Sequence, residues 1–286
     1  MSVKLELKNV CFYYGKGTAF EVKALDDVSF GVQAGRITGL IGHTGSGKST
    51  LAQLFNGLEK PFSGQVLLDG EDIWDKKYKG ARLCFRVGLV MQYPEYQLFE
   101  ETVAADIAFG PTNMGLDKEE IDRRVHDAVR FVGLDESVLE QSPFDLSGGQ
   151  KRRVAIAGIM AMQPEVLVLD EPAAGLDPRG RAEIFAGIRS YRDQTGATVI
   201  IISHSMEDMA EYCEDIIVMN RARVMLAGTV HDVFADSDLL AEAGLDIPQI
   251  TQIMRLLAAQ GLDVDTGVCT KEQATAELIR ALKLSF

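Results

Sequence analysis

The 286-residue chain has no apolar run approaching the ~20 residues that a membrane-crossing helix needs. If it works at a membrane, it does so from the surface and through partners. Paired cysteines are also missing: Cys11, Cys84, Cys213 and Cys269 are scattered with no C-x-x-C. That pattern speaks against a zinc site or a disulfide framework and for reduced, partly buried thiols in a cytoplasmic protein. Positive charge is in deficit, with 29 Lys and Arg against 42 Asp and Glu and a net charge of −13. Phosphate backbones need clustered cations, so no nucleic-acid partner is expected. The opening Met1-Ser2-Val3-Lys4-Leu5-Glu6 lacks the apolar stretch of a signal peptide. There is no internal repeat and no low-complexity tract. A hydrophobic content of 47% suffices for one large domain with an appendage.

Against these absences stands Gly42-His43-Thr44-Gly45-Ser46-Gly47-Lys48-Ser49-Thr50, which fits G-x-x-x-x-G-K-[ST]. Gly42, Gly45 and Gly47 permit backbone conformations closed to residues with a Cβ, so successive amides can turn inward around an anion. The positive end of the helix that follows adds to this cradle. Lys48 supplies a mobile charge for the β- and γ-phosphates, and Ser49 a hydroxyl for Mg²⁺. Arg36-Ile37-Thr38-Gly39-Leu40-Ile41 has the composition of a buried strand, and Leu51, Leu54 and Phe55 have helical spacing after the loop. The strand–loop–helix context identifies a nucleoside triphosphate site.

Elsewhere the pattern predicts alternating β and α elements. Val3, Leu5 and Leu7, then Val10 and Phe12, then Val22 and Ala24, with Val28 and Phe30, alternate as short strands joined by turns at Gly15, Gly17 and Gly35. Val66–Leu68 and Val87–Gln92 read as further strands. Asp117 and Glu120 open a helix carrying Ile121, Val125, Val129 and Val132, stopped at Gly133. A second helix starts near Gly149, with Val154, Ile156, Ala157 and Met160. Val166–Leu169 and Thr198–Ile202 are near-continuous apolar strands, as in a parallel sheet covered on both faces. Beyond about residue 230, Pro248 suits the first turn of a helix with Ile250, Ile253, Met254 and Leu257 on one face, and Thr270 with Gln273 forms a second capping box.

Two more elements carry chemistry. The strand Val166–Leu169 ends in Asp170 and Glu171, at the carboxyl edge where α/β ligands sit. Asp170 there would hold Mg²⁺, and Glu171 would orient and deprotonate a water for in-line attack on the γ-phosphate. Leu146-Ser147-Gly148-Gly149-Gln150 is a second glycine-rich turn before a helix, again an anion-binding surface.

In the order of these elements the chain resembles the nucleotide-binding subunits of ABC transporters over residues 1 to about 230. The resemblance implies an α/β P-loop NTPase fold: an N-terminal antiparallel β-subdomain, a RecA-like parallel-sheet core and an inserted α-helical subdomain at about 93–160. Residues 231–286 would form a small C-terminal helical extension. Tyr14 matches the aromatic that stacks on adenine, and Gln92 the glutamine that contacts metal and attacking water. Ser147, Gly148, Gly149 and Gln150 match the signature turn, and Ala174-Gly175-Leu176-Asp177 the D-loop, with Ala174 in place of the usual serine. His204 matches the switch histidine at the γ-phosphate. The resemblance further implies that two subunits pair head to tail, so that ATP on Lys48 of one is closed by Ser147–Gly149 of the other.

Gln92-Tyr93-Pro94-Glu95-Tyr96-Gln97-Leu98-Phe99-Glu100-Glu101-Thr102-Val103 narrows the match, being similar to ATPases of energy-coupling factor importers, which take up vitamins or transition-metal ions. That likeness implies a second ATPase subunit, either the same chain or a paralogue, a transmembrane coupling protein and a substrate-binding membrane component, with this chain peripheral on the cytoplasmic face. Tyr93, Pro94, Tyr96, Leu98 and Phe99 are then expected to face the coupling helices, unless they pack the subunit's own core. A soluble ABC ATPase is the alternative, but such proteins usually carry two cassettes or a long coiled coil. A P-loop phosphotransferase would leave Leu146–Gln150 and His204 unexplained.

Overall fold

The structure is a computed structural model that describes residues 2–75 and 82–282; Met1 of the opening stretch lies outside them. The N-terminal sheet contains β1 (Val3–Tyr14), β2 (Val22–Gln33), β4 (Ser63–Leu68) and β5 (Glu71–Asp72), antiparallel in the order β2-β1-β4-β5. The short strands expected here are two strands of 12 residues each. The reason is a change of parity that the pairing absorbs. Leu5 and Leu7 point into the core, and so do Val10 and Phe12. Between them Asn9 takes a φ of 49° and the register to β2 shifts. A bulge thus inserts a residue without ending the ladder.

The second sheet holds β3 (Ile37–Ile41), β6 (Val87–Val90), β7 (Val166–Asp170), β8 (Thr198–Ile202), β9 (Asp215–Asn220) and β10 (Arg223–Thr229), in the order β10-β9-β3-β8-β7-β6. Its pairs are parallel except β10 with β9. Both faces are covered, which accounts for the unbroken apolar runs. On β7, Val166 and Val168 pack with Leu51, Leu54 and Phe55 of α1 (Lys48–Asn56) and the N-terminal sheet. Leu167 and Leu169 face a second core shared with the helices. Each such side chain, fully withdrawn from water, contributes about 1.5–3 kcal/mol.

Between β5 and β7 lie α2 (Arg82–Arg86), α3 (Val103–Asn113), α4 (Lys118–Phe131) and α5 (Gly148–Ala161). The helix expected at Asp117 is α4: Asp117 accepts from the Glu120 amide at 2.9 Å, while the Glu120 carboxylate pairs with Arg123 and Arg124. After β7 come α6 (Pro178–Thr195) and α7 (Met206–Tyr212), and after β10 come α8 (Val230–Ala235), α9 (Ser237–Glu242), α10 (Gln249–Ala259) and α11 (Lys271–Leu282). Pro248 is the N-cap of α10, one residue ahead of the first turn. Thr270 and Gln273 exchange reciprocal bonds at the start of α11. Val233, Phe234 and Leu240 belong to the main core, whereas Met254, Val268 and Ala274 form a separate small one. Among the described residues, no helix is long and apolar enough to cross a membrane. Cys213 and Cys269 are buried, and Cys11 and Cys84 are partly so.

Strand order determines where the chemistry meets. β3, β8, β7 and β6 are successive neighbours running in one direction. Their carboxyl ends lead into the Gly42–Lys48 loop, His204, Asp170 with Glu171, and Gln92.

Candidate active site

The loop after β3 is pressed against two neighbouring backbones. Gly47, at φ 106°, leaves no room for a side chain: a Cβ there would stand 2.6 Å from the Ala24 carbonyl oxygen and 2.8 Å from Leu25 Cδ2. Lys48 opens α1 yet is only 6% exposed, because its side chain arches back over the loop. Its Nζ donates to the carbonyls of Gly42 at 2.5 Å and His43 at 2.9 Å. An ammonium has three protons, so one is left for an anion. Burial pulls the Lys48 pKa below the ordinary lysine range, against the opposing pull of Glu171 and Asp170. A binding anion would reverse that pull.

Ser49 Oγ donates to Asp170 Oδ2 at 2.9 Å, joining the loop to the end of β7. Burial raises the Asp170 pKa, and the Ser49 bond and the Lys48 charge hold it back. Glu171 follows in the left-handed region at φ 53°, an uncommon place for a residue with a Cβ. Its amide donates to the Ile202 carbonyl at 2.9 Å, which anchors the turn to β8. Burial first, and the Asp170 charge second, push its pKa up. Its Oε1 is shielded from solvent and has no hydrogen-bond partner among the described residues, although His204 Nε2 stands 3.3 Å away. His204 is itself held below the ordinary histidine range by burial and by Lys48, so it is neutral near pH 7 and this contact is not an ion pair.

These groups line one cleft of about 320 Å³, together with Tyr14, Thr44, Gly45, Gly47, Thr50 and Gln92. Tyr14 is 41% exposed; its hydroxyl lies 3.1 Å from Thr50 Oγ1 and its ring meets Phe12 edge-on at 4.9 Å. Gly42, His43 and Ser46 do not line the cleft. Gly42 and Ser46 are buried within the loop, and the His43 ring meets the Thr44 carbonyl at 2.7 Å and Asn220 at 3.3 Å. Val22, Lys23 and Ala24 do line it, which the sequence reading did not foresee. They stand there because Tyr14 pairs with Val22 across β1 and β2, a register set only after several bulges.

The donors near Asp170 are all oxygen. Ser49 hydroxyl, Asp170 carboxylate and the Gln92 amide line the cleft together, a hard-ligand set that suits Mg²⁺. Among the described residues no cluster of three or more His, Cys, Asp or Glu could hold a metal unaided.

Ser147, Gly148, Gly149 and Gln150 do not reach this cleft. Ser147 caps α5: its Oγ accepts from the Gln150 amide at 3.3 Å, and Gln150 Oε1 accepts from the Ser147 amide at 3.0 Å. With both side chains engaged in this box, the open feature is the glycine-lined helix start itself; a Cβ on Gly148 would meet nothing within 4 Å.

Residues 25–174 match the ABC transporter family model. The chain is 49% identical over 283 residues to the energy-coupling factor transporter ATP-binding protein EcfA2 of Caldanaerobacter subterraneus subsp. tengcongensis, covering 99% of this chain and 98% of that one. Among solved structures it resembles cbiO1 from Clostridium perfringens, part of the ABC transporter complex cbiONQ, at a TM-score of 0.75 and 38% identity over 89% of this chain and all of that one. It also resembles the dimeric post-hydrolysis state of the ATP-binding cassette MJ0796 bound to ADP and Pi, at a TM-score of 0.69 and 27% identity over 79% of this chain and 98% of that one. The chain belongs to the ABC transporter family and, within it, to the energy-coupling factor transporter ATP-binding proteins.

Proposed function

We propose that the cleft binds ATP with Mg²⁺ and hydrolyses it to drive an importer of the energy-coupling factor type. The observation that carries this reading is the meeting, in one cleft, of a phosphate cradle with a spare lysine proton and a buried, unpartnered Glu171 oxygen. The loop amides and Lys48 hold the β- and γ-phosphates, and Tyr14 takes the adenine. Ser49, Asp170 and Gln92 would hold Mg²⁺, which supplies positive charge where negative charge develops on the phosphoryl oxygens. Glu171 orients a water through Oε1 and accepts its proton as the water oxygen attacks phosphorus. Its raised pKa makes it a stronger base than an ordinary carboxylate. Neutral His204 donates to a γ-phosphate oxygen and keeps the water and the phosphate in line. ADP and phosphate are the products.

A second copy, or a paralogous ATPase subunit, completes the site. The Ser147–Gln150 turn does not reach its own cleft and suits the nucleotide of a partner, as head-to-tail pairing requires. The cassette works from the cytoplasmic face of the membrane through a transmembrane coupling protein and a substrate-binding component, whose cargo is a vitamin or a transition-metal ion. Pro94 is buried and serves the subunit's own interior, whereas Leu98 packs on the main core and also lines the groove beside Phe99. Tyr93, Tyr96 and Phe99 stay exposed. Phe99 and Phe109 wall an apolar groove of about 490 Å³, which suits a coupling helix, while Tyr93 and Tyr96 line a separate cleft beside Gln92.

Two substitutions test the chemistry. Glu171→Gln is expected to keep ATP binding and lose turnover by about 10²–10⁴-fold; normal turnover would remove Glu171 as the base. Lys48→Ala is expected to weaken ATP binding, and unchanged affinity would remove the phosphate role of the loop. Capture from membranes with this chain as bait should recover an integral membrane protein and a second ATPase subunit. Recovery of neither contradicts the importer reading.

A further inference from the structure

Arg152 is among the most deeply buried cations in the molecule, at 3% exposure, and it lies outside the cleft just described. Burying a guanidinium costs free energy unless its protons are met. Here they are met by two turns that belong to different parts of the chain. Nε donates to Glu95 Oε2 at 3.1 Å and Nη2 to Glu95 Oε1 at 3.2 Å, a fork-on-carboxylate arrangement. Nη1 donates to the Ala174 carbonyl. The Tyr93 ring lies 5.9 Å from the guanidinium carbon.

The positions of those partners give the contact meaning. Glu95 sits in the turn Pro94–Gln97, three residues beyond Gln92, and that turn carries the exposed Tyr96. Ala174 lies three residues beyond Glu171, and its amide donates back to the Glu171 carbonyl at 3.2 Å. Arg152 itself rises from α5 little more than one turn after Ser147. One planar group therefore spans the segment after Gln92, the segment after Glu171 and the helix whose start carries Ser147. In α6, the helix after that turn, Arg181 grips Asp208 of α7 with Nε 2.8 Å from both carboxylate oxygens, four residues beyond His204.

We propose that Arg152 is a positioning residue that locks the turn after Gln92 and the turn after Glu171 to the Ser147 end of α5, so that the three shift as one body when nucleotide binds. The inference rests on the cleft being the ATP site. It is specific to arginine: a lysine keeps the charge but presents no rigid fork that can grip Glu95 twice while reaching Ala174. The consequence is that a change at Glu171 reaches the exposed turn at Tyr96 through one side chain rather than through the sheet.

The test uses the full chain in a Glu171→Gln background, with hydrogen–deuterium exchange followed with and without Mg·ATP in peptides covering residues 43–50, 93–99 and 172–178. With Arg152 present, ATP is expected to slow exchange in all three. In Arg152→Lys and in Glu95→Gln, slowing should persist at 43–50 and be lost at 93–99 and 172–178. With Glu171 intact, each variant should lower kcat about tenfold while KM for Mg·ATP stays unchanged. The double variant should be no worse than the poorer single one, because both remove the same link. Loss of slowing in all three peptides would mark a merely structural residue and overturn the proposal, as would additive losses of kcat. If residues 43–50 are not protected even with Arg152 present, the ATP site itself is wrongly placed. If they are protected and the variants follow wild type throughout, the coupling role of Arg152 alone is refuted.

Discussion

Replacing Gly47 by alanine tests the packing of the phosphate loop, and Gly45 provides the control. Both glycines have positive φ, 106° and 81°. The left-handed penalty for a residue with a Cβ is about 1–2 kcal/mol in each case. The surroundings differ: a Cβ on Gly45 meets nothing within 4 Å, whereas one on Gly47 would stand 2.6 Å from the Ala24 carbonyl oxygen and 2.8 Å from Leu25 Cδ2. A carbonyl in a paired strand cannot swing aside as a side-chain tip can, so overpacking adds about 1–3 kcal/mol. The totals are about 1–2 kcal/mol for Gly45→Ala and about 2–5 kcal/mol for Gly47→Ala. At about 2–4 °C per kcal/mol for a chain of this size, the ligand-free melting temperature should fall by roughly 2–8 °C and roughly 4–20 °C respectively. Saturating Mg·ATP offers a second reading, since ligand at about 100 times Kd stabilises by about 2.7 kcal/mol. Gly45→Ala should retain part of that rise in a thermal melt, and Gly47→Ala should lose it. If Gly47→Ala melts no lower than Gly45→Ala, the loop is not seated against β2 as described.

Other consequences can be measured in solution. Glu171 must be ionised to accept a proton and its pKa in the ligand-free protein is raised, so the acid limb of the kcat/KM profile should lie at higher pH than for an unburied carboxylate; a limb at the ordinary carboxylate value would contradict its burial. The same shift means that ionisation opposes folding, so the wild type loses stability as pH rises from the ordinary glutamate pKa through the folded one. Glu171→Gln should then melt higher than wild type at neutral pH, and a lower melting point would count against this. Glu165 shows the opposite sign: Arg86 and Lys4 hold its carboxyl down to about 2. The stability it contributes is present above about 4.5 and disappears as pH falls toward 2, so the acid unfolding of Glu165→Gln should be less steep over that range. Phe55→Ala removes a fully buried ring that meets Phe30 edge-on at 6.2 Å; denaturant melts should show a loss of about 3–5 kcal/mol.

Elements with a strong period or a fixed chemical spacing were readable from sequence. The strands β3, β7 and β8 announced themselves through unbroken apolar runs, and the boxes at Asp117 and Thr270 marked helix starts through side chains that reach only a few residues. Features that depend on pairing between distant strands were not readable. The bulge between Leu7 and Val10 was not readable, because nothing local in the sequence marks it. A further register shift between Phe12 and Tyr13 precedes the pairing that brings Val22, Lys23 and Ala24 to the cleft. Ser147 and Gln150 read as phosphate-facing, yet in the folded chain they also cap each other; the same spacing serves both purposes. The Arg152 link to Glu95 and Ala174 spans 57 and 22 residues, beyond the reach of any periodic pattern.

The central claim, that nucleotide is held on Lys48 and closed by the Ser147 turn of another ATPase subunit, is tested most directly by photo-cross-linking. A benzophenone amino acid is placed at Ser147 in the full chain in its native membranes, in the Glu171→Gln background, and illuminated with and without Mg·ATP. An ATP-dependent link to a phosphate-loop peptide of a second subunit, whether this chain or a paralogue, is the predicted result. Links confined to the chain's own residues, or links indifferent to ATP, would contradict it.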